Sequence, residues 1–360
     1  MSQSQQIKLE DYTTLHIGGP AQAFYHTQDR DEFIGRIQEA DKTCTPLLIL
    51  GGGSNILVSD QGFDGTVIKD GREELEIKSN EKSKTAQITV SAGYCWDDFV
   101  KWTIEHGLSG LSALSGIPGS VGGSPVQNIG AYGHEVSSVI NSVIAYDRFE
   151  QKEVELHAQD LAFAYRSSAI KRSIAEAKDS DPVALGPSGR WIVLEVVFTL
   201  EKSLLSEPVK YAELARQLGT QQGARLESKE IRKHVLELRD KKGMRYNKED
   251  RDCWSAGSFF TNPILSKEQE QALDSEAPRY KYLDGYKSSA AWLIDHAGFH
   301  KGFKLDDSGA QLSTKHVLAL CNHKAARAQD VLKLAQHIQA GVFEKYQIAL
   351  EMEAIKVGLD

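Results

Sequence analysis

The sequence predicts an α+β fold, and three features of the chain support that prediction. A short apolar run at residues 46–50 ends at three consecutive glycines, which is typical of a buried strand followed by a turn. Further β-rich runs lie at residues 65–68, 87–91, 139–146, 153–156 and 191–200. After Leu204 the composition shifts towards charged amphipathic helices. We therefore expect an α+β region over residues 1–205, followed by a second domain.

Periodicity predicts the main helices. Five side chains at helical spacing indicate an early helix that ends at Gly107: Trp96, Phe99, Val100, Thr103 and Ile104. Later helices are predicted at residues 226–242, from Ser266 onward with Gln269 completing a capping box, at 289–297 and at 328–346.

The hydrophobic period changes near the C-terminus. Residues 347–355 alternate between apolar and polar side chains, which predicts a strand with Glu351 and Glu353 on one face. A face of this kind is more often exposed to solvent than catalytic. At this point the two glutamates are either solvent-exposed or part of a buried functional site.

Composition and charge narrow the function classes. The chain has 360 residues, with 42 Lys and Arg against 50 Asp and Glu, and a formal net charge of -8. A net negative chain is a poor general partner for nucleic acid, because such binding depends on cations displacing counterions from phosphates. No stretch approaches the ~18 apolar residues that cross a bilayer, and the first residues lack the apolar core of a signal peptide. We therefore expect a cytoplasmic protein that contacts neither nucleic acid nor membrane.

The four cysteines give no sign of a disulfide framework or a metal site. Cys44, Cys95, Cys253 and Cys321 lie far apart, with no CxxC pair and no His at ligand spacing. We expect reduced, mostly buried thiols and no bound metal.

Residues 48–60, LILGGGSNILVSD, form the first candidate site. Adjacent glycines after a strand let backbone N–H groups approach an anion, and Ser54 and Asn55 add side-chain donors. The segment lacks the Lys of a P-loop, and Ile56 stands where a dinucleotide fingerprint needs its third Gly. It is either a phosphate contact or a plain strand-ending turn.

Residues 115–133 form the second candidate site, with six glycines and two prolines. Glycine removes the side chains that keep backbone away from a ligand, and proline limits the freedom that a loop loses on ordering. The pattern suits a backbone-lined cofactor slot, and an ordinary surface loop is the alternative.

Further polar side chains are scattered along the sequence, and each one alone is weak evidence for a functional site. Arg166 follows a Tyr, Ser258 lies between Gly and two Phe, and Glu353 lies near the C-terminus. The basic residues within 239–245 either stabilise the C-terminus of a helix or bind a phosphate group.

Taken in order, these segments resemble the UDP-N-acetylenolpyruvoylglucosamine reductases, the MurB family of flavoenzymes in peptidoglycan precursor synthesis. The resemblance covers nearly the whole chain. Its motifs are TTLHIGG (13–19), LGGGSN (50–55), IPGSVGGSPVQNIGAYG (117–133), FAYRSS (163–168), AGSFFTNP (256–263), SAAWLID (289–295), LSTKHVLAL (312–320) and LEMEAIKVG (350–358).

The resemblance implies three parts of the chain. They are an FAD-binding region of the PCMH or vanillyl-alcohol-oxidase type over residues 1–205, divided near residue 70, a UDP-sugar domain over residues 206–350, and a C-terminal strand and tail, residues 351–360, that returns towards the flavin. The resemblance also implies that NADPH reduces non-covalently bound FAD and leaves. The enolpyruvyl ether of UDP-N-acetylglucosamine would then enter the same site and be reduced to UDP-N-acetylmuramate. The expected form is a monomer.

Residue roles follow from the same resemblance by position. The catalytic residues that it implies are Arg166, Ser258 as proton donor, and Glu353. The cofactor contacts that it implies are Gly51, Gly52, Gly53, Ser54, Asn55, Ile117, Pro118, Gly119, Gly122, Gly123, Ser124, Ile129 and Arg239. The substrate contacts that it implies are Tyr132, Tyr211 on a loop that closes over the UDP-sugar, Lys242 and Asn262.

The implied chemistry suits these residue types. Hydride addition to the terminal enolpyruvyl carbon leaves negative charge on the adjacent carbon and its carboxylate. Arg166 would supply fixed positive charge, and Glu353, if protonated, would hydrogen-bond to the developing enolate. Ser258 would then protonate the carbanion, a far stronger base than an alkoxide.

Some positions depart from the family pattern, and other functions stay open. Ile355 stands where the family often has Arg, so we expect Lys356 or Arg239 to compensate. The role of His296 is open. The alternatives are a flavin oxidase of the same fold acting on an alcohol or lactone, and a non-catalytic UDP-sugar sensor.

Overall fold

The structure is a computed structural model, and it describes residues 7–79, 82–176, 178, 181–306 and 308–359. Backbone packing divides the chain into two compact units. The central unit comprises Ala21–Gly52 and Asp64–Asp240, and the terminal unit comprises Met1–Pro20, Gly53–Phe63 and Lys241–Asp360.

Helices and short strands alternate along most of the described chain. The helices are α1 (Arg30–Lys42), α2 (Trp96–Glu105), α3 (Gly123–Gln127), α4 (Ala169–Ala175), α5 (Ala212–Gln217), α6 (Ser228–Lys241), α7 (Lys267–Ala272), α8 (Ala290–His296) and α9 (Ala328–Tyr346). The strands are β1 (Ala21–Thr27), β2 (Leu47–Leu50), β3 (Ile56–Val58), β4 (Phe63–Asp70), β5 (Leu75–Lys78), β6 (Thr85–Ser91), β7 (Leu108–Ser109), β8 (Gly130–Ala131), β9 (His134–Glu135), β10 (Ile140–Asp147), β11 (Lys152–His157), β12 (Trp191–Lys202), β13 (Arg279–Tyr282), β14 (Gly285–Ser288), β15 (Ala310–Leu312), β16 (Leu320–Asn322) and β17 (Ile355–Val357). Single 3-10 turns lie at Leu9–Tyr12, Ser112–Leu114, Val136–Ser138 and Arg251–Cys253.

A six-stranded antiparallel sheet organises the central unit, in the order β11-β10-β12-β6-β5, with β7 added beside β12. Helix α2 packs on it, and its five predicted apolar-face residues are all buried. The rings of Phe99 and Phe198 lie 4.9 Å apart in this core. The predicted helix is therefore confirmed, because its apolar side chains recur with the helical period and match a flat sheet face.

A second sheet, in the order β1-β4-β2, positions the first glycine-rich segment. Strand β2 lies parallel to β4, with Leu47 opposite Thr66. The side chains of β2 are mostly buried, and α1 packs on the same cluster through Phe33 and Ile37. A parallel strand covered on its faces reads as a continuous apolar run, as the sequence of β2 does.

Two elements of the terminal unit match the sequence predictions closely. Helix α9 spans Ala328–Tyr346 and buries Val331, Leu334, Ala335, Ile338 and Val342. Helix α7 begins at the capping box of Ser266 and Gln269, in which each side chain accepts a hydrogen bond from the other residue's backbone N–H. Local side-chain chemistry fixes both helices, so both predictions are confirmed.

The strand predicted over residues 347–355 is wrong. Regular pairing is limited to β17, which lies parallel to β3, and Met352 makes only an isolated bridge with Phe260. The alternation reflects burial instead, because Ile348 and Leu350 are buried while Glu351 is exposed. An extended segment beside an irregular loop shows a period of two without a strand ladder.

Other sequence predictions have mixed outcomes. Cys253 and Cys321 are buried, but Cys44 and Cys95 are exposed, so the prediction of mostly buried thiols is half wrong. The predicted functional boundaries at residues 205 and 350 stay predictions, since packing divides the chain between residues 240 and 241. No helix in the described part of the chain is long and apolar enough to cross a membrane.

A buried ion pair ties α1 to the central sheet. The Arg148 guanidinium donates to Asp41 Oδ1 at 2.6 Å and to the carbonyl oxygens of Ala184, Ser188 and Gly189. Both charged side chains are almost wholly buried, at 0% and 2% exposed. Loss of one partner would therefore leave the other charge unpaired in a medium that solvates it poorly.

We expect Asp41→Ala to lower the free energy of unfolding by about 3–5 kcal/mol, because Arg148 is left buried without its counter-charge. Urea titration at neutral pH measures this change. The control is Glu39→Ala, which removes an exposed partner of Arg36 on the same helix and should cost at most about 1 kcal/mol. Equal losses in the two variants would contradict the prediction.

Candidate active site

The two predicted glycine-rich segments meet in the central unit with backbone against backbone. A Cβ atom built on Gly52 would lie 2.6 Å from the Cα atom of Gly119, and one on Gly51 would lie 2.7 Å from Ser120 Oγ. Gly122 is similarly tight against Ala92, at 2.5 Å. A side chain is therefore excluded at Gly51, Gly52 and Gly122, and the backbone at Gly52 lies directly against that at Gly119.

The crossing also supplies hydrogen-bond donors. Within the described residues, the backbone N–H groups of Gly52 and Ser120 donate no hydrogen bond to protein. Successive N–H groups in such turns form concave sites that favour anions. The buried hydroxyl of Ser124 donates to the carbonyl oxygen of Val121 at 2.7 Å, and its contact with the cofactor stays a prediction.

A clamp from two helices fixes the start of the second segment. Asp97 of α2 accepts a hydrogen bond from Gly116 N–H at 2.6 Å and pairs with Arg232 of α6. Arg239, also of α6 and predicted to contact the cofactor, donates through Nε to the Gly116 carbonyl oxygen at 2.9 Å. Ile117 and Pro118 follow directly, so this clamp sets where they begin. Sequence reasoning missed Asp97 and Arg232, because both look like ordinary polar residues on solvent-facing helices.

Arg166 is anchored to the carbonyl oxygens of the same loop. Its Nη2 donates to Gly130 at 2.7 Å and its Nη1 lies 3.4 Å from the Asn128 oxygen. Its backbone is left-handed, with φ of 54°, and its own carbonyl accepts from Lys171 Nζ at 3.1 Å. A strained backbone held by several contacts is typical of functional positions. The predicted catalytic cation is therefore held in a defined direction.

Tyr132 and Tyr211 lie edge to face, with ring centroids 5.8 Å apart. Burial raises the pKa of Tyr132 to about 12, although the nearby Arg239 opposes the shift. Burial and then Glu213 raise the pKa of Tyr211 as well. Both phenols therefore keep their protons at neutral pH and serve as hydrogen-bond donors. Ile129 packs on the core beneath this loop.

The terminal unit brings the first segment to the C-terminus. Asn55 donates through Nδ2 to the Glu353 carbonyl oxygen at 3.3 Å, and its own carbonyl accepts from Ile355 N–H at 3.0 Å. Glu353 N–H donates in turn to the carbonyl oxygen of Phe259 at 2.8 Å. The structure therefore places Asn55, Glu353 and the neighbour of Ser258 on three adjoining lengths of backbone. Ser54 and Gly53 precede Asn55 in the same turn.

Ser258 lies on a short turn next to two buried phenylalanines. Phe259 and Phe260 are each 1% exposed and pack edge to face, while Ser258 itself is half-buried. Its hydroxyl makes no hydrogen bond to any other described residue. A hydroxyl on a rigid turn is suited to meet a bound molecule.

Four other polar residues have less specific settings. Asn262 Oδ1 accepts from Ala290 N–H at 3.0 Å at the start of α8, which gives it a structural role besides the predicted substrate contact. Lys242 is half-buried, and Lys356 is exposed. His296 stacks on Trp292 and bonds to that residue's carbonyl group, which accounts for it structurally.

These settings fit FAD. The crossing in the central unit offers backbone N–H groups of Gly52 and Ser120 that donate to no other described residue, and such donors suit a pyrophosphate. No group of three or more His, Cys, Asp or Glu in the described chain could hold a metal ion. The fold and these features define a flavoprotein oxidoreductase.

Comparisons with known proteins give the family. The FAD binding domain family matches residues 21–149, and the family described as "UDP-N-acetylenolpyruvoylglucosamine reductase, C-terminal domain" matches residues 247–357. The chain belongs to the UDP-N-acetylenolpyruvoylglucosamine reductase family. The predicted resemblance and the FAD cofactor are therefore confirmed.

Individual relatives match over their whole length. The UDP-N-acetylenolpyruvoylglucosamine reductase of Thermobifida fusca is 42% identical, with 99% of this chain and 98% of that protein covered. That of Streptomyces coelicolor is 43% identical, with 98% and 89% covered. The crystal structure of UDP-N-acetylenolpyruvylglucosamine reductase (MurB) from Thermus caldophilus matches with a TM-score of 0.63 and 26% identity, over 98% of both chains. The predicted α+β fold with an FAD-binding region is confirmed.

We expect Gly52→Ala to weaken FAD binding roughly tenfold to a hundredfold, because its methyl group would meet the Gly119 backbone and overpacking costs about 1–3 kcal/mol. Fluorescence titration of the apoprotein with FAD measures the affinity. The matched control is Gly35→Ala in α1, where a Cβ atom meets nothing within 4 Å and should leave FAD binding unchanged. If Gly52→Ala binds FAD with unchanged affinity, the Gly52–Gly119 crossing is not part of the cofactor site.

Proposed function

We propose that this protein uses NADPH and FAD to reduce the enolpyruvyl ether of UDP-N-acetylglucosamine to UDP-N-acetylmuramate, a step of peptidoglycan precursor synthesis. The observation that carries the proposal is the match of nearly the entire chain to reductases of that name. The retained Arg166, Ser258 and Glu353 support it, because a flavin oxidase or a sensor would not need all three.

FAD, when bound, supplies the hydride that the substrate accepts. The protein must stabilise the negative charge that develops beside the substrate carboxylate. Arg166 would do this with a fixed positive charge, because its guanidinium direction is set by the Gly130 carbonyl. Preorganised charge of this kind needs no rearrangement during the reaction.

Glu353 and Ser258 would complete the reaction. Glu353 in its protonated form would donate a hydrogen bond to the developing enolate, from a backbone position fixed by Asn55 and Phe259. Ser258 would donate its proton to the carbanion, since an alkoxide is the weaker base. Its half-buried hydroxyl has no competing partner among the described residues, which supports this assignment.

We further propose that NADPH and the nucleotide sugar occupy one site in turn and that the working form is a monomer. The absence of a dinucleotide fingerprint for NADPH in the sequence supports the shared site. Tyr132, Tyr211, Lys242 and Asn262 would contact the UDP-sugar. The paired phenols support this role, since each keeps a proton to donate to phosphate or sugar oxygens.

We expect Ser258→Ala to slow substrate reduction on the order of a hundredfold or more while flavin reduction by NADPH stays within about twofold. The reason is that only the substrate half-reaction requires a proton on carbon. Anaerobic stopped-flow absorbance at the flavin bands follows the two half-reactions separately. The control is Ser266→Ala, which removes only the α7 cap. Equal slowing of both half-reactions would assign Ser258 a structural role.

We expect Tyr211→Ala to raise the KM for the nucleotide sugar roughly tenfold with a smaller change in kcat, because one hydrogen bond to a charged group is worth about 1.5–3 kcal/mol. Steady-state kinetics measures both constants, and Tyr211→Phe tests the hydroxyl alone. Tyr280→Ala is the control, since that tyrosine on β13 has similar exposure, 40% against 37%. An unchanged KM would remove Tyr211 from the substrate site.

A further inference from the structure

We propose that Asn128 is a positioning residue that sets the direction of the Arg166 guanidinium, an inference that rests on the proposed role of Arg166. Asn128 is fully buried, in the middle of the second glycine-rich segment. Its backbone is left-handed, with φ of 46°, which only Gly, Asn and Asp adopt readily. No step of the proposed reaction uses Asn128 directly.

The Asn128 side chain is bonded in three directions. Its Nδ2 donates to the Ala164 carbonyl oxygen at 2.9 Å and to Glu135 Oε2 at 3.1 Å, and its Oδ1 accepts from Ser137 N–H at 3.2 Å. A buried amide with its donors and acceptor satisfied is rigid, and loss of one bond leaves a costly unpaired group. The amide therefore ties its own loop to two other stretches of chain, residues 135–137 and the backbone at Ala164.

One of those stretches carries Arg166. Ala164 and Ser167 exchange two backbone hydrogen bonds, at 3.0 and 3.1 Å, and Arg166 lies inside the turn that they close. The Asn128 amide holds the base of this turn at Ala164, while the Asn128 carbonyl faces Arg166 Nη1 at 3.4 Å. Asn128 therefore contacts both the backbone turn that carries Arg166 and the guanidinium group at the end of its side chain.

Gly130 closes the arrangement. Its carbonyl accepts from Arg166 Nη2 at 2.7 Å, and a Cβ atom at Gly130 would lie 3.0 Å from Arg166 Nη1. The guanidinium therefore lies close against the loop that contains Asn128. Its contacts with the Asn128 and Gly130 carbonyl oxygens restrict its direction. A displacement of about 1 Å at such a group can cost on the order of a hundredfold in rate.

Two variants separate the side chain from the backbone conformation. Asn128→Gly keeps the left-handed backbone and its carbonyl but removes the amide. Asn128→Asp keeps the shape and the acceptor for Ser137 but removes both donors. In the holoenzyme we expect each variant to slow substrate reduction roughly thirtyfold to a hundredfold, with flavin reduction by NADPH within about twofold.

A double-mutant cycle with Arg166→Met tests whether Asn128 acts through Arg166. If it does, adding Asn128→Gly to Arg166→Met causes no further loss, because the group that it positions is already gone. Additive losses would overturn the inference. A normal substrate half-reaction in Arg166→Met alone would instead overturn the proposed role of Arg166, so the two failures are distinguishable.

A readout without activity comes from hydrogen exchange in the apoprotein. We expect faster exchange at the Ala164 and Ser167 amides in both Asn128 variants, since their turn loses its anchor. The matched control is Asn322→Asp, because Asn322 is also buried, donates to the carbonyls of Leu15 and His16, and accepts from Ala326 N–H.

The control should lose similar thermal stability but leave exchange at Ala164 and Ser167 and the substrate half-reaction unchanged. If the Asn128 variants match the control in the rate of amide exchange and in the rate of the substrate half-reaction, Asn128 has only a structural role and the inference is wrong. The same holds if exchange at the two amides stays at the wild-type level. Slower substrate reduction together with faster local exchange supports it.

Discussion

The central constraint on this structure is the contact between the backbones of Gly52 and Gly119. A Cβ atom on Gly52 would lie 2.6 Å from the opposing Cα atom, so no side chain fits at this position. The contact accounts for glycine at residue 52, since a turn alone would tolerate other residues. The backbone N–H groups of Gly52 and Ser120 donate to no other described residue, and such groups suit a pyrophosphate. The proposed cofactor site therefore depends on the close backbone contact at this crossing.

Backbone carbonyl and amide groups hold polar side chains within each unit. In the central unit, Arg166 is oriented by Gly130, and the loop start at Gly116 is held by Asp97 and Arg239. In the terminal unit, Asn55 bonds to the backbone at Glu353. Main-chain anchors of this kind restrict the movement of a side chain. Such a site is preorganised, which is how fixed charge becomes useful to a reaction that develops an anion.

The chain path explains how remote residues become neighbours within the terminal unit. Strands β3 and β17 pair in parallel, which joins Asn55 to Glu353 across 298 positions of sequence. A parallel pair needs a long connection between its strands, and here the connection runs from β4 to α9. Truncation of the C-terminal residues would remove both strand β17 and the Glu353 carboxyl group.

The sequence by itself determined the elements whose signals are local. The helices α2 and α9 and the capping box of α7 follow from side-chain period and from bonds three residues apart, and the glycine clusters marked the two segments that meet at Gly52 and Gly119. Tertiary structure decided the rest. Alternation at residues 347–355 could not show that the segment lacks a strand partner, and nothing local marks Asp97 or Asn128 as anchors. Their roles depend on carbonyl and amide groups far away in sequence, and such partners are chosen only when the chain packs.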